Sequence, residues 1–204
     1  MTHFGLVVIG AHIGVHIKNE VENFKKEKIL LIEPVPHNVE AIKKNLLEYK
    51  DIIIEQLTLG DKKELRDFYF IKEESISKLK KHWASGIGSF NKDHILNHKS
   101  KRFQLKEEDI EKMSIRCVRF EDLINKYAIN SIEKLLIDVE GSEYQILKDI
   151  DLKKVNIKKI IFEYKHFDDY FKQGVKLDEI INKLEKNNYK ITKLDEENIL
   201  AEKF

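Results

Sequence analysis

Short apolar runs separated by amphipathic stretches recur through most of this chain, and that rhythm restricts the fold more than any other feature. Leu6–Ile9, Lys28–Glu33, Asp51–Leu57, Lys134–Asp138 and Lys158–Tyr164 have strand length and little polar alternation. A run of that kind is buried on both faces, as in a parallel sheet covered by crossover helices. The segments between them supply such helices. One follows the first run to about Lys25. His37–Lys50 carries Val39, Ile42, Leu46 and Leu47 on one face, and Phe120–Tyr127, Ser142–Ile150 and Leu177–Asn187 have similar patterns. The expectation is an α/β fold. Arg66–Ile71 and Ile115–Phe120 read as further strands, and Tyr189–Leu194, a polar turn and Ile199–Phe204 as a terminal hairpin. Between about residues 72 and 115 the rhythm gives way to mixed, charged sequence. One domain, 1–204, with one insertion at 72–115 is the economical reading.

Composition excludes several function classes. With 42% hydrophobic and 36% charged residues the chain suits a globular domain rather than a disordered one. A net charge of +1 gives no general attraction to nucleic acid or anionic membrane, so neither is expected as a partner. Cys117 is the single cysteine, which rules out an intrachain disulfide. No apolar run approaches the length of a membrane span, and the N-terminus lacks the features of a signal peptide. A cytoplasmic location is the expectation.

The chain has 8 glycines, and two of them fall in "VVIGAHIG", where the first strand ends. Glycine at that point lets the backbone approach a ligand at the carboxyl edge of a parallel sheet, at Gly10, and lets a helix pack closely, at Gly14. Helix packing alone accounts for such a pair equally well. Glu33 at the end of the second strand adds weight, because an acid there accepts the hydroxyls of a ribose. Pro34 and Pro36, the only prolines, stiffen the loop behind it. A third constellation is "LLIDVEGSEYQIL". Asp138 ends a strand, Glu140 and Gly141 occupy the turn, and Ser142 is an N-cap candidate. Glu163 and His166 end the next strand. If these strands are parallel neighbours, Asp138, Glu140, Glu163 and His166 gather on the edge that carries Gly10 and Glu33. Such a group suits hydroxyl binding, proton abstraction or a divalent cation, with no specific metal ligand set indicated.

Together, "VVIGAHIG", "IEPVPHN", "LTLGDKKE", "LIDVEGSEYQILK" and "IIFEYKH" resemble the successive motifs of the FkbM-type S-adenosylmethionine-dependent methyltransferases, over about Val7 to His166. The resemblance implies a Rossmann-like class I methyltransferase sandwich, its mostly parallel seven-stranded sheet closed by an antiparallel terminal hairpin. It implies S-adenosylmethionine as cofactor and O-methylation of a hydroxyl on a sugar, glycolipid or natural product. The residues Gly10, Ala11, His12 and Gly14 then match the methionine-side loop. Glu33, with Pro34, matches the ribose acid, Thr58, Leu59 and Asp61 the segment near the adenine, and Asp138 the acid beside the transfer site. One position departs: the family's aspartate two residues before the first glycine is Val8 here.

On the acceptor side, His166 is the first candidate for the base, since imidazole titrates near neutrality, with Asp138 and Glu140 next. The insertion's His82–Phe103 stretch contains the only tryptophan. Trp83, Ser85, Ser89 and Glu163 are expected to face the acceptor, and Phe90 to help exclude water. Lys99, Lys101 and Arg102 suit an anionic small-molecule or glycan acceptor. An ordinary surface loop remains the plainer reading of this segment. His94 and His98 share a helix face, but no third metal ligand is in register. Because the nucleoside motifs lie elsewhere, losing the loop is expected to spare cofactor binding. A nicotinamide-dependent oxidoreductase or epimerase using Gly10 and Glu33, and a non-catalytic binding protein on the same fold, are the competing functions.

Overall fold

The computed structural model describes residues 2–79, 82–96, 105–139, 141–168 and 174–204, with His82 and Trp83 described by backbone alone. In chain order its first half comprises β1 (Thr2–Ile9), α1 (Lys18–Asn23), β2 (Ile29–Ile32), α2 (Pro36–Asn45), β3 (Ile52–Glu55), β4 (Thr58–Leu59) and β5 (Glu64–Ile71). The insertion follows, with α3 (Glu73–Leu79), a 3-10 turn (His82–Gly86), β6 (Gly88–Ser89), α4 (Lys92–Leu96) and a second 3-10 turn (Glu107–Asp109). The rest is β7 (Ile110–Val118), α5 (Phe120–Tyr127), β8 (Ile129–Ile137), α6 (Glu143–Asp149), β9 (Asn156–Glu163), α7 (Val175–Glu185), β10 (Tyr189–Lys193) and β11 (Asn198–Lys203).

Seven strands form the main sheet in the order β10-β11-β9-β8-β1-β2-β3. β3, β2, β1, β8 and β9 are mutually parallel, while β11 runs antiparallel to both β9 and β10. This is the class I methyltransferase sheet that the resemblance implied. The apolar runs become strands because both faces are covered. Val7 and Ile9 of β1, with Leu30 and Ile32 of β2, point into the core capped by α5, α6 and α7. Leu6 and Val8, with Ile29 and Leu31, point into the opposite core beneath α1 and α2. The period-two alternation across two apolar layers leaves no polar face to read in the sequence.

Two expectations about helices need correction. The first helix is only Lys18–Asn23, because residues 10–17 form an irregular loop with three left-handed residues, Gly10, His12 and Gly14. The second ends at Asn45, with Leu46 as its C-cap, and leaves Leu47 83% exposed, so Leu47 is not part of the apolar face. Val39, Ile42 and Leu46 are buried, and Ile42 and Leu46 join the core beneath α1 and α2.

The segments read as extra strands build a second sheet, in the order β4-β7-β5-β6. β5 and β7 pair antiparallel from Glu64↔Cys117 to Ile71↔Ile110, so strand pairing resumes at Ile110, inside the 72–115 span. What lies between has a core of its own: Ile71, Ala84, Ile87, Ile95, Leu105 and Ile110 are buried together. Leu59 and Val118 sink into the main core and tie the two sheets to each other.

Candidate active site

Strand order in the main sheet reverses at β1: the chain proceeds through β2 and β3 on one side and through β8 and β9 on the other. The crevice above such a point is where α/β sheets bind ligands. Here the ends of β1 and β8 are in contact. Gly10 has φ +90°, and a Cβ added to it would lie 1.7 Å from the Asp138 carbonyl oxygen. Only glycine fits. Gly14, φ +79°, packs against Leu46 and Ile42 of α2, so its freedom serves helix approach.

A cavity of about 710 Å³ opens over this junction, within the roughly 300–1,000 Å³ typical of small-molecule sites. From the β1–β4 side, Gly10, His12, His16, Glu33, Pro34, Thr58 and Leu59 line it. From the β8–β9 side come Asp138, Val139, Gly141, Ser142 and His166, and from the second sheet and insertion Phe68, Gly86, Ser89, Phe90 and His94.

Glu33 is 4% exposed and held in place by three donors. Its Oε1 accepts the Val35 N–H at 3.0 Å and the Asn38 amide at 3.1 Å, and its Oε2 accepts the His12 N–H at 2.9 Å. Burial pushes its pKa up to about 7 against these three hydrogen bonds, which favour the charged form. Glu33 lines the cavity, and its Oε2, which accepts a single N–H, keeps lone-pair capacity. His12 is held neutral by burial and by His16 and His37, its pKa lowered to about 4. Burial also lowers His16.

The acceptor side is only partly as expected. β8 and β9 are parallel neighbours with Ile137 opposite Phe162, which puts Asp138 and Glu163 at adjoining strand ends. Asp138 and His166 line the cavity, and the His166 ring lies 5.6 Å, edge to face, from His94 of the insertion. Glu163 is 5% exposed, off the cavity wall, and its Oε1 accepts a hydrogen bond from Lys165 Nζ at 2.5 Å. Asp138, Glu143 and Glu163 each offer an oxygen within 4.8 Å of the others. Glu143 spends its two oxygens on the Val139 and Gly141 N–H groups, both at 2.9 Å, and Glu163 faces an ammonium. The protein thus answers this charge with its own donors, and no metal is assigned. Burial raises the Glu143 pKa. Glu143, rather than the side chain of Ser142, satisfies the loop that opens α6.

Three expectations move. Ala11 is fully buried beneath the loop and Asp61 is exposed on the turn after β4, so neither lines the cavity. Ser85 is not on the acceptor side. Its Oγ hydrogen-bonds His12 Nε2, and its carbonyl accepts the Asn38 amide at 2.8 Å, so the insertion is fastened to the Glu33 corner. Ser89 and Phe90 do line the cavity, Phe90 resting edge-on against Phe68 with the Arg66 guanidinium 3.9 Å from its ring centre. Val8, where the family's aspartate is expected, is 2% exposed and belongs to the α1/α2 core. Glu140, the Trp83 side chain, His98, Lys99, Lys101, Arg102 and Phe103 lie outside the described residues.

Residues missed in the sequence include Asn38, Glu143, His16 and Phe68. A polar residue on the apolar face of the second helix was a usable signal for Asn38; nothing local marks the others.

A doubly wound sheet, a glycine turn at its switch point and a buried strand-end acid are features of the Rossmann-like class of nucleotide-cofactor proteins. Residues 9–191 match the methyltransferase FkbM domain, and the chain belongs to that family: it is an S-adenosylmethionine-dependent methyltransferase. No curated protein sequence matches the chain. Among solved structures, it is similar to the fibrillarin pre-rRNA processing protein of Methanococcus jannaschii, with a TM-score of 0.49 and 13% identity over 98% of this chain and 66% of that one. It also resembles precorrin-6y C5,15-methyltransferase of Geobacter metallireducens, with a TM-score of 0.47 and 12% identity over 100% and 82%. Aeropyrum pernix fibrillarin, in complex with natively bound S-adenosyl-L-methionine, gives a TM-score of 0.46 and 8% identity over 97% and 65%. The family assignment rests on the domain match.

Proposed function

We propose that the protein methylates a hydroxyl oxygen of a small-molecule or glycan acceptor, the class that includes sugars, glycolipids and natural products. The observation that carries this reading is the division of one cavity between two chemistries. Toward β1–β4, Gly10, His12, His16, Glu33, Pro34, Thr58 and Leu59 form a slot with one buried acid; toward β8–β9 stand Asp138 and His166. The slot fits the cofactor. Gly10 lets the ends of β1 and β8 meet at the cavity, where any Cβ would collide with the Asp138 carbonyl, and Glu33 presents an oxygen to ribose hydroxyls. When bound, S-adenosylmethionine supplies an electrophilic methyl group.

The chain's own contribution is positional and proton-handling. Ser89 and Phe90 wall the acceptor side and displace water, aligning the acceptor's oxygen, which is the main requirement of an in-line transfer. The hydroxyl proton must leave as oxygen becomes the ether. His166 is assigned as the base that takes it, with Asp138, which lines the same cavity, as second candidate.

Calorimetry with S-adenosylhomocysteine and with NAD is the first test. Binding of the former alone is expected, and binding of NAD alone would replace this reading by the oxidoreductase one. Turnover of His166→Ala, measured once an acceptor is found, should fall about 10²-fold or more, with S-adenosylhomocysteine affinity unchanged. Full turnover would remove His166 as the base.

A further inference from the structure

The insertion is anchored in an unexpected place. Asn38, in the first turn of α2, is fully buried and gives one amide hydrogen to Glu33 Oε1 and the other to the carbonyl of Ser85. His12 duplicates the link, its N–H on Glu33 Oε2 and its ring nitrogen on the Ser85 hydroxyl. Gly86 follows directly: a Cβ there would lie 3.7 Å from the His12 ring. Two residues thus hold both the strand-end acid and the inserted segment.

The energetics argue against Asn38 as packing. Its Oδ1 is buried with no hydrogen-bond partner among the described residues, a cost that a leucine of similar size would avoid. What the amide provides in return is two N–H bonds that no apolar side chain makes. One goes to a carboxylate and orients it, and the other reaches across 47 residues of sequence to the insertion.

We propose that Asn38 is a positioning residue that sets Glu33 for the cofactor's ribose and docks the insertion on the same corner, so that cofactor binding and docking of the 82–96 segment favour each other. This rests on the assignment of Glu33 to the ribose. The coupling is reciprocal by linkage: whatever firms the Glu33 corner firms the docked segment, and the reverse. The segment then serves as the floor joining the two halves of the cavity, since its Gly86 meets the cofactor half while Ser89 and His94 line the acceptor half.

Calorimetry and hydrogen exchange on the full chain with S-adenosylhomocysteine test this. In the wild type, the ligand should slow amide exchange across 82–96. Asn38→Ala should weaken binding roughly 10- to 100-fold, the range for a hydrogen bond to a charged group, and abolish the slowing at saturating ligand. Glu33→Gln, which leaves the sequence of the inserted segment unchanged but turns an amide donor toward one of the N–H groups that the carboxylate accepts, should abolish the same response, so the test stands if Asn38→Ala does not fold. Unchanged affinity in Asn38→Ala, or undiminished slowing in either variant, overturns the coupling alone. A wild type that binds no S-adenosylhomocysteine overturns the cofactor assignment, and the coupling with it.

Discussion

Glu33 shows how one residue's environment sets its chemistry. Carried up to about 7 by burial, its carboxyl binds a proton more tightly in the folded chain than in the unfolded one. Between about pH 4.5 and 7 the folded state therefore holds more protons at this site, and its contribution to stability falls as pH rises. His12 acts oppositely. Its pKa of about 4 means the unfolded chain takes up the proton first as pH falls, so its contribution is lost from about 6.5 downward. The two trends offset in the wild type. Glu33→Gln removes one of them, so chemical denaturation should show its stability relative to wild type improving from pH 4.5 to 7. A constant difference across that range would mean the carboxyl titrates normally. The ionised form is the better acceptor for ribose hydroxyls, so wild-type affinity for S-adenosylhomocysteine should rise from pH 6 to 8. Glu33→Ala should cost roughly 1–3 kcal/mol of that affinity at pH 8, read by calorimetry.

Elements decide what a residue substitution means. The family resemblance makes Val8→Asp look like the restoration of a missing acid. β1 gives another answer. Val8 points into the core of Leu6, Ala11, Ile17, Leu31 and Ile42, and it is Ile9 that meets the cavity. An aspartate there is a buried charge with no partner. It should destabilise the fold by about 3 kcal/mol or more without tightening the cofactor, as thermal unfolding and calorimetry would show. A stable variant with higher affinity would mean that the end of β1 rotates. The insertion teaches the same lesson. Its sequence reads as a loop over the acceptor whose deletion is expected to spare the cofactor. Its 3-10 turn instead rests on His12 and Asn38, and the expected consequence of its loss is weaker cofactor binding.

At the scale of the whole molecule, two sheets share one core, since Leu59 and Val118 of the smaller are buried with Leu123, Leu135 and Ile137 around the larger. One cooperative unfolding transition is expected, raised as a unit by S-adenosylhomocysteine in proportion to its occupancy. Two separate transitions, with only the first ligand-sensitive, would show that the inserted region unfolds by itself.

The sequence by itself determined the parallel strands, their order of ends and the glycine turn, because a fully apolar run, a strand-terminal glycine and a strand-terminal acid each have few physical solutions. Gly10, Glu33, Asp138 and His166 were legible for that reason: they sit where the chain leaves the sheet, and local pattern marks that place. The tertiary structure alone decided what those residues touch. That Ser85 would meet His12 and Asn38, that Glu163 would turn to Lys165, and that Glu143 would bind the loop before it all depend on contacts no periodicity records. Strand pairing between β5 and β7 set where the insertion lands, and long-range packing has no signature in the residues on either side of it.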